Sequence, residues 1–181
     1  VGQREIGADC ASREEALAMA LQQDADVILL DGIGNEREAG LLFAAVRRGQ
    51  FVILAEKEDS VTAALLHLVQ CGGSTSGSQL LLDSLAQGLA GAMAQKLLRR
   101  QDEAGRVAAY EVLVADAGVR SLIAENRIQQ LDTSAGAEKE RGRVQMDDAI
   151  YNLYVKSCIT SGTAIAGAKD PEDMRRKVRL F

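Results

Sequence analysis

The sequence contains few of the residue types that mark particular protein classes. It has one proline, one histidine, no tryptophan and three cysteines in 181 residues. Cys10, Cys71 and Cys158 are widely spaced and form no Cys-x-x-Cys pair, so neither a zinc site nor a disulfide framework is predicted. We expect free thiols in a reducing cytoplasm. A lone histidine makes neither a metal site nor a triad, so His67 is expected to be packed or partly exposed.

Long apolar runs and an excess of positive charge are also absent. No apolar run approaches the roughly 20 residues that span a bilayer, and the N-terminus lacks the basic-then-apolar order of a signal peptide. A net charge of -5 argues against a general surface for nucleic acid or acidic membrane. We therefore expect a cytoplasmic protein that neither binds nucleic acid nor inserts directly into a membrane.

The sequence has no phosphate-binding loop of the form Gly-x-x-x-x-Gly-Lys-Ser/Thr. The stretch from Gly72 to Ser78 is no substitute, because it has no lysine and does not join a strand to a helix. Its glycine and serine content predicts a mobile connector. The chain begins with Val1 rather than methionine, and we interpret it as part of a longer polypeptide.

The first part of the chain alternates helix and strand patterns. Ser12 and Glu15 form a capping box at the start of a helix that runs to Gln23. Apolar runs at 26–30 and 51–55 predict strands, the first of them covered on both faces. Short connections between these segments predict parallel strands with right-handed crossovers. Further helices are predicted at 36–48, from residue 59 or 60 through 69, and at 79–100.

The pattern changes near residue 115. A further strand is predicted at 106–114, and it could return to the same sheet. Beyond it, short helical segments are predicted near 119–125, 145–156 and 171–179, with a polar loop at 132–143. The predicted organisation is therefore an α/β domain over residues 1–115 and a small all-helical module over residues 116–181.

Several collinear segments carry a family resemblance that covers essentially the whole chain. Together they resemble the C-terminal half of the secretion ATPase superfamily, and within it the type IV pilus retraction ATPases that drive twitching motility. The segments, in order, are Gly2 to Gly7, the strand from Asp24 to Leu30, Met93 to Arg100, Gly105 to Leu113, Val119 to Ile123 and Asp170 to Arg176.

The resemblance implies a partial RecA-like core of the P-loop NTPase type, followed by the helical C-terminal module. It also implies a hexameric ring of identical or paralogous ATPase subunits, with a platform protein of the inner-membrane pilus or secretion machinery as partner. A peripheral position at the inner membrane would follow from that partner. ATP and Mg²⁺ are implied as cofactors only if a phosphate-binding loop precedes this sequence.

The family's catalytic residues are missing from the matching positions. The atypical Walker B strand of the family ends in Gly-Glu-x-Arg-Asp, and the catalytic glutamate falls on Gly32. The family's histidine box falls on 55–60, where Lys57 replaces the histidine. Loss of one catalytic carboxylate commonly costs on the order of a hundredfold in rate, so the resemblance predicts deficient hydrolysis. The five Walker B positions are Asp31, Gly32, Ile33, Gly34 and Asn35.

Individual residues retain two interpretations each. Asp31 is a candidate Mg²⁺ contact through water, or a solvated residue at a strand end. Lys57 is a candidate phosphate or subunit contact, or part of a solvated loop. Arg4, which matches a family arginine, would act at the nucleotide or form a structural ion pair. Glu36 and Glu38 are candidate replacement bases, although the first turn of a helix attracts acids on electrostatic grounds alone.

Two functional hypotheses follow from the resemblance. The first is a motor-family subunit for pilus dynamics or secretion, with hydrolysis carried out by other subunits. The alternative is a non-catalytic regulatory or protein-binding module that keeps the fold. An active enzyme with relocated acids is the third and weakest reading.

Overall fold

A computed structural model describes residues 2–73, 77–132 and 142–179. The chain is a mixed α/β protein, in agreement with the fold class predicted from sequence. The first helix is capped as its sequence predicts: Ser12 Oγ accepts from Glu15 N–H, and Glu15 Oε2 accepts from Ala11 N–H. The helices are α1 (Arg13–Gln22), α2 (Glu36–Arg47), α3 (Val61–Cys71), α4 (Gly77–Gly88), α5 (Ala117–Ala124), α6 (Met146–Val155), α7 (Ser161–Gly167) and α8 (Pro171–Arg179), with a 3₁₀ helix at Ile128–Leu131. The strands are β1 (Val27–Asp31), β2 (Phe51–Ala55), β3 (Gly91–Arg99) and β4 (Arg106–Val114).

The chain divides into two compact units. The first comprises residues 1–57, 64–89 and 117–128, and the second comprises 58–63, 90–116 and 129–181. In the first unit, β1 and β2 pair in parallel, α1 and α4 pack against α2, and α5 packs against α4. Its buried apolar side chains include Leu17, Ile28, Leu42, Phe43, Leu85 and Ile123.

The second unit is built on an antiparallel hairpin. β3 and β4 pair over nine positions, from Gly91 opposite Val114 to Arg99 opposite Arg106. The inner face of this hairpin packs against α6 and α7, and α8 packs against α7. Met146, Ile150, Ile159 and Met174 are buried between these helices.

Two sequence predictions about strands were wrong. The predicted helix at 79–100 ends at Gly88, and Gly91–Arg99 is a strand. The strand at 106–114 is confirmed, but it pairs antiparallel with β3 and does not join the parallel sheet. Nine ladder pairs outweigh the helical propensity of the Ala, Met, Gln, Lys and Leu residues in β3.

The first strand is not covered on both faces as predicted. Ile28 and Leu30 are buried, whereas Val27 and Leu29 are exposed. The other predicted helices are confirmed to within a few residues. Helix α7 was not predicted, because Ser161, Gly162 and Thr163 have low helix propensity. Residues 74–76 of the predicted connector at 72–78 and residues 133–141 of the predicted loop at 132–143 lie outside the described residues, and α4 begins at Gly77.

Candidate functional site

The carboxyl ends of β1 and β2 lie side by side and form the candidate site. Their register places Asp31 opposite Ala55, and Gly32 N–H extends the pairing by donating to the Ala55 carbonyl at 2.7 Å. Ligands of open parallel sheets bind at the carboxyl ends of the strands. We call residues 31–35 and 56–57, which follow the two strands, the strand-end site.

Asp31 and Lys57 belong to this site and are both exposed. In the part of the chain that the structure describes, neither side chain makes a hydrogen bond or an ion pair. One carboxylate and one ammonium group therefore remain available to a ligand at this edge. Arg4 precedes α1 and is exposed, and among the described residues no hydrogen bond or ion pair joins it to Asp31 or Lys57.

The backbone at Gly32 is unsuited to a side chain. Its φ is +79°, in the left-handed region that L residues rarely adopt, although a Cβ there would meet no heavy atom within 4 Å. The position of the family's catalytic glutamate is therefore open in space but strained in conformation. A glutamate at residue 32 would cost on the order of 1 kcal/mol in this backbone.

The next three positions of the Walker B pattern have structural contacts. Ile33 is buried. Gly34 N–H donates to Glu38 Oε2 at 2.8 Å, and Asn35 is the N-cap of α2, with its Oδ1 accepting from Glu38 N–H at 3.0 Å. The turn after β1 thus serves to start α2.

Glu38 is tied into the same turn. It is buried, and its Oε2 also accepts from Arg13 Nη1 at 3.0 Å. A carboxylate held by a guanidinium and a backbone N–H is committed to structure rather than to proton abstraction. Glu36 is exposed and lies beside Gly73, where an added Cβ would approach its carboxylate carbon to 2.8 Å.

We expect Asn35→Ala to lower the free energy of unfolding by about 1 kcal/mol, because the substitution removes the N-cap acceptor. Asn35→Asp is the matched control, since an aspartate keeps an acceptor oxygen at the cap. Urea denaturation followed by circular dichroism measures both. Equal loss in the two variants would contradict the capping role.

The structure brings together three side chains that sequence reasoning kept apart. His67 Nδ1 lies 3.3 Å from Glu56 Oε2, an ion-pair distance without hydrogen-bond alignment, and His67 Nε2 lies 3.4 Å from Cys71 Sγ. Burial, and then the charges of Glu56 and Glu38, raise the pKa of the Cys71 thiol, which stays protonated at neutral pH. The available sequence signal was the i, i+4 spacing of His67 and Cys71 on one helix face.

Another unpredicted network lies in the second unit around Glu111, a buried residue of β4. Its Oε1 is 3.0 Å from Lys169 Nζ, and its Oε2 accepts from Val61 N–H at 3.2 Å. Asp132 Oδ1 lies 3.3 Å from the same Lys169 Nζ and accepts from Thr62 Oγ1 at 2.8 Å. These bonds tie the hairpin to the start of α3 and to the segment before α8.

Helix α5 corresponds to the family segment Val119 to Ile123. Val119 and Ile123 are buried, and Leu122 between them is half-buried. Arg120 Nη1 donates to the carbonyls of Ala86 and Gln87 at 2.6 and 2.8 Å. These are terminal carbonyls of α4, so Arg120 caps that helix.

Comparison with known proteins shows which proteins this chain resembles in sequence and in fold. No family model matches the chain. The twitching motility protein of Neisseria gonorrhoeae is 28% identical over 174 residues, 96% of this chain and 46% of that protein. The type IV pilus ATPase PilU of Pseudomonas aeruginosa is 28% identical over 180 residues, 99% of this chain and 47% of that protein.

Solved structures give the same result. A crystal structure of the pilus retraction motor PilT with bound ADP matches 97% of this chain and 49% of its own, with a TM-score of 0.84 and 28% identity. The chain is related to the C-terminal half of the type IV pilus ATPases. The ATPase DotB of Legionella pneumophila shares the fold, with a TM-score of 0.79 at 20% identity over 93% of this chain and 46% of its own.

The chain spans about half the length of the type IV pilus ATPases it matches. The strand-end site is therefore compared with only about half of each of these proteins. None of the described helices is both long and apolar enough to cross a bilayer.

Proposed function

We propose that the chain is the C-terminal portion of a motor subunit for type IV pilus retraction or type II secretion, and that this subunit is deficient in hydrolysis. The observation that carries the proposal is the collinear similarity to pilus ATPases over 96–99% of the chain, combined with glycine at residue 32. A strand that ends in a carboxylate but lacks the following base retains a metal contact without a group to activate water.

A nucleotide would meet the two exposed charged side chains of the strand-end site. Asp31 would contact the nucleotide's Mg²⁺ through water, and Lys57 would approach a phosphate or a neighbouring subunit. Both are exposed and free of partners among the described residues, which fits a ligand-facing role. The phosphate cradle itself would come from a segment outside residues 1–181, because this sequence contains no such motif. Arg4 is proposed to act electrostatically at the nucleotide or at a subunit boundary.

Assembly is the second element of the proposal. The subunit would join a hexameric ring of identical or paralogous ATPases in the cytoplasm, docked on a platform protein of the inner membrane. We propose that the chain consists of a RecA-like part, residues 1–115, and a helical module, residues 116–181. If the full-length protein stayed monomeric with nucleotide at high concentration, the alternative of a non-catalytic regulatory module would replace the ring.

The test of the hydrolytic deficiency is ATP turnover by the full-length protein. We expect turnover at least about a hundredfold below that of an active pilus ATPase measured in parallel, because the catalytic glutamate is absent. Wild-type turnover equal to that of the active enzyme would overturn the proposal.

A pair of variants refines this test. Gly32→Glu combined with Lys57→His returns both catalytic side chains and is expected to raise turnover. Gly32→Ala combined with Lys57→His is the matched control, because alanine introduces the same backbone strain at φ +79° without a carboxylate. Equal turnover by the two variants would show that the missing carboxylate is not what limits hydrolysis.

A further inference from the structure

The side chains of Glu56, His67 and Cys71 form a row in the first unit, and Glu56 is itself a residue of the strand-end site. Glu56 follows β2, and its side chain is 11% exposed. His67 and Cys71 lie one turn apart on α3; the His67 side chain is 34% exposed and Cys71 is partly buried. The imidazole therefore stands between a carboxylate on one side and a thiol on the other, and solvent reaches it.

The distance between the two ligand atoms suits a shared metal ion. His67 Nε2 and Cys71 Sγ are 3.4 Å apart. A tetrahedral Zn²⁺, with Zn–S near 2.3 Å and Zn–N near 2.0–2.1 Å, holds a sulfur and a nitrogen ligand about 3.5 Å apart. Ligands at i and i+4 on a helix are a recurrent way to chelate this ion. No large rearrangement of α3 is needed to place both atoms on one ion.

Glu56 supplies the supporting group that such a site uses. Metal-bound histidines direct their second ring nitrogen toward a carboxylate, carbonyl or water, which fixes the tautomer and raises the basicity of the ligand. The Glu56 carboxylate lies 3.3 Å from Nδ1, the ring nitrogen that does not face Cys71, at ion-pair distance but without hydrogen-bond alignment. Its charge favours the proton on Nδ1, so the Nε2 lone pair faces the sulfur.

A buried charge also lacks compensation at this place. Glu56 Oε1 is buried and has no hydrogen-bond partner in the described parts of the chain. A buried carboxylate oxygen without a partner is costly, and a nearby cation relieves that cost. The same negative charge disfavours a free thiolate, and a bound cation would offset that cost because it neutralises the sulfur it binds.

We propose that His67 Nε2 and Cys71 Sγ chelate a divalent transition-metal ion of the Zn²⁺ class, with Glu56 as the supporting carboxylate. Within the described ranges no group of three or more His, Cys, Asp or Glu side chains is arranged to hold a metal. The ion therefore has two protein ligands, and water completes its coordination. Binding releases the thiol proton to solvent as the metal–sulfur bond forms.

Cobalt(II) binding to the full-length protein tests the site, because a thiolate–Co²⁺ bond produces a near-ultraviolet charge-transfer band. We expect the wild-type protein to show the band, and Zn²⁺ to abolish it by competition. Cys71→Ser is expected to remove it. Glu56→Gln is expected to weaken Co²⁺ affinity by about 10–100-fold while keeping the band at saturation. Absence of the band in the wild-type protein would overturn the proposal.

Matched controls separate this site from other thiols and from misfolding. Cys10→Ser and Cys158→Ser are expected to leave the band and the affinity unchanged. Alkylation mapped by mass spectrometry on the wild-type protein should show that Zn²⁺ protects Cys71 and leaves the alkylation of Cys158 unchanged, a readout that needs no variant. Unchanged alkylation of Cys71 in the presence of Zn²⁺, or survival of the band in Cys71→Ser, would contradict the chelate.

Discussion

Replacing Glu111 with alanine is expected to lower the free energy of unfolding by about 3 kcal/mol. Glu111 is buried and accepts from Val61 N–H while it pairs with Lys169 at 3.0 Å. Its removal leaves a buried backbone donor and an ammonium group without their principal acceptor. Breaking a buried ion pair costs roughly 3–5 kcal/mol, and the lower end applies because the Lys169 side chain is 33% exposed to water.

Glu103→Ala is the matched control for this prediction. Glu103 pairs with Arg99 at 3.4 Å, but the two side chains are 72% and 76% exposed. Exposed pairs contribute about 0–1 kcal/mol, so this variant should unfold at nearly the wild-type urea concentration. Similar losses in the two variants would contradict the role assigned to Glu111.

The Glu111 network also has a signature at alkaline pH. Burial alone lowers the pKa of Lys169, but the hydrogen bonds and charges of Glu111 and Asp132 outweigh it and raise that pKa. A raised folded-state pKa stabilises the protein below the unfolded value of about 10.4, and this contribution is lost as pH rises through the folded pKa. Urea midpoints measured across this range should fall more steeply for the wild-type protein than for Glu111→Ala.

Ile123→Ala is expected to cost about 2–5 kcal/mol of unfolding free energy. Ile123 is fully buried in α5, and α5 packs on α4. The substitution removes three carbons and leaves a cavity in a helical layer that Arg120 fixes through the terminal carbonyls of α4. If the surrounding side chains cannot move into the cavity, the loss of unfolding free energy includes both the transfer free energy of the removed carbons and the cost of the cavity.

Leu80→Ala is the control for Ile123→Ala. Leu80 is in α4, on the partner helix, and 58% of its surface is exposed. Its truncation should change the unfolding free energy by less than about 0.5 kcal/mol. Denaturant midpoints that shift equally for the two variants would show that α5 is not packed as described.

Local sequence signals predicted the first unit well because its elements follow them closely. The Ser12 cap, the apolar run of β2 and the helical spacing of α2 each act over a few residues, and the structure confirms all three. Several motifs in the same order along the chain likewise predicted the relation to pilus ATPases. These features depend on neighbours in sequence, so one sequence suffices to read them.

The features that were missed depend on residues distant in sequence. Strand β3 reads as a helix until it is paired with β4, and only the glycines at 88 and 91 mark the break. The contact of Glu111 with Lys169 spans 58 positions. The approach of Glu56 to His67 likewise depends on how the turn after β2 folds back on α3, which no local pattern encodes.

The conformation of Gly32 gives the proposed loss of hydrolysis an evolutionary direction. A left-handed glycine followed by a buried Ile33 and a capping Asn35 accepts no side chain without strain. A single codon change from glycine to glutamate at residue 32 would therefore lower the free energy of unfolding, even though it returns the carboxylate. Under the proposed loss of hydrolysis, this strain opposes the return of a carboxylate at residue 32, and a change in the turn after β1 would relieve it.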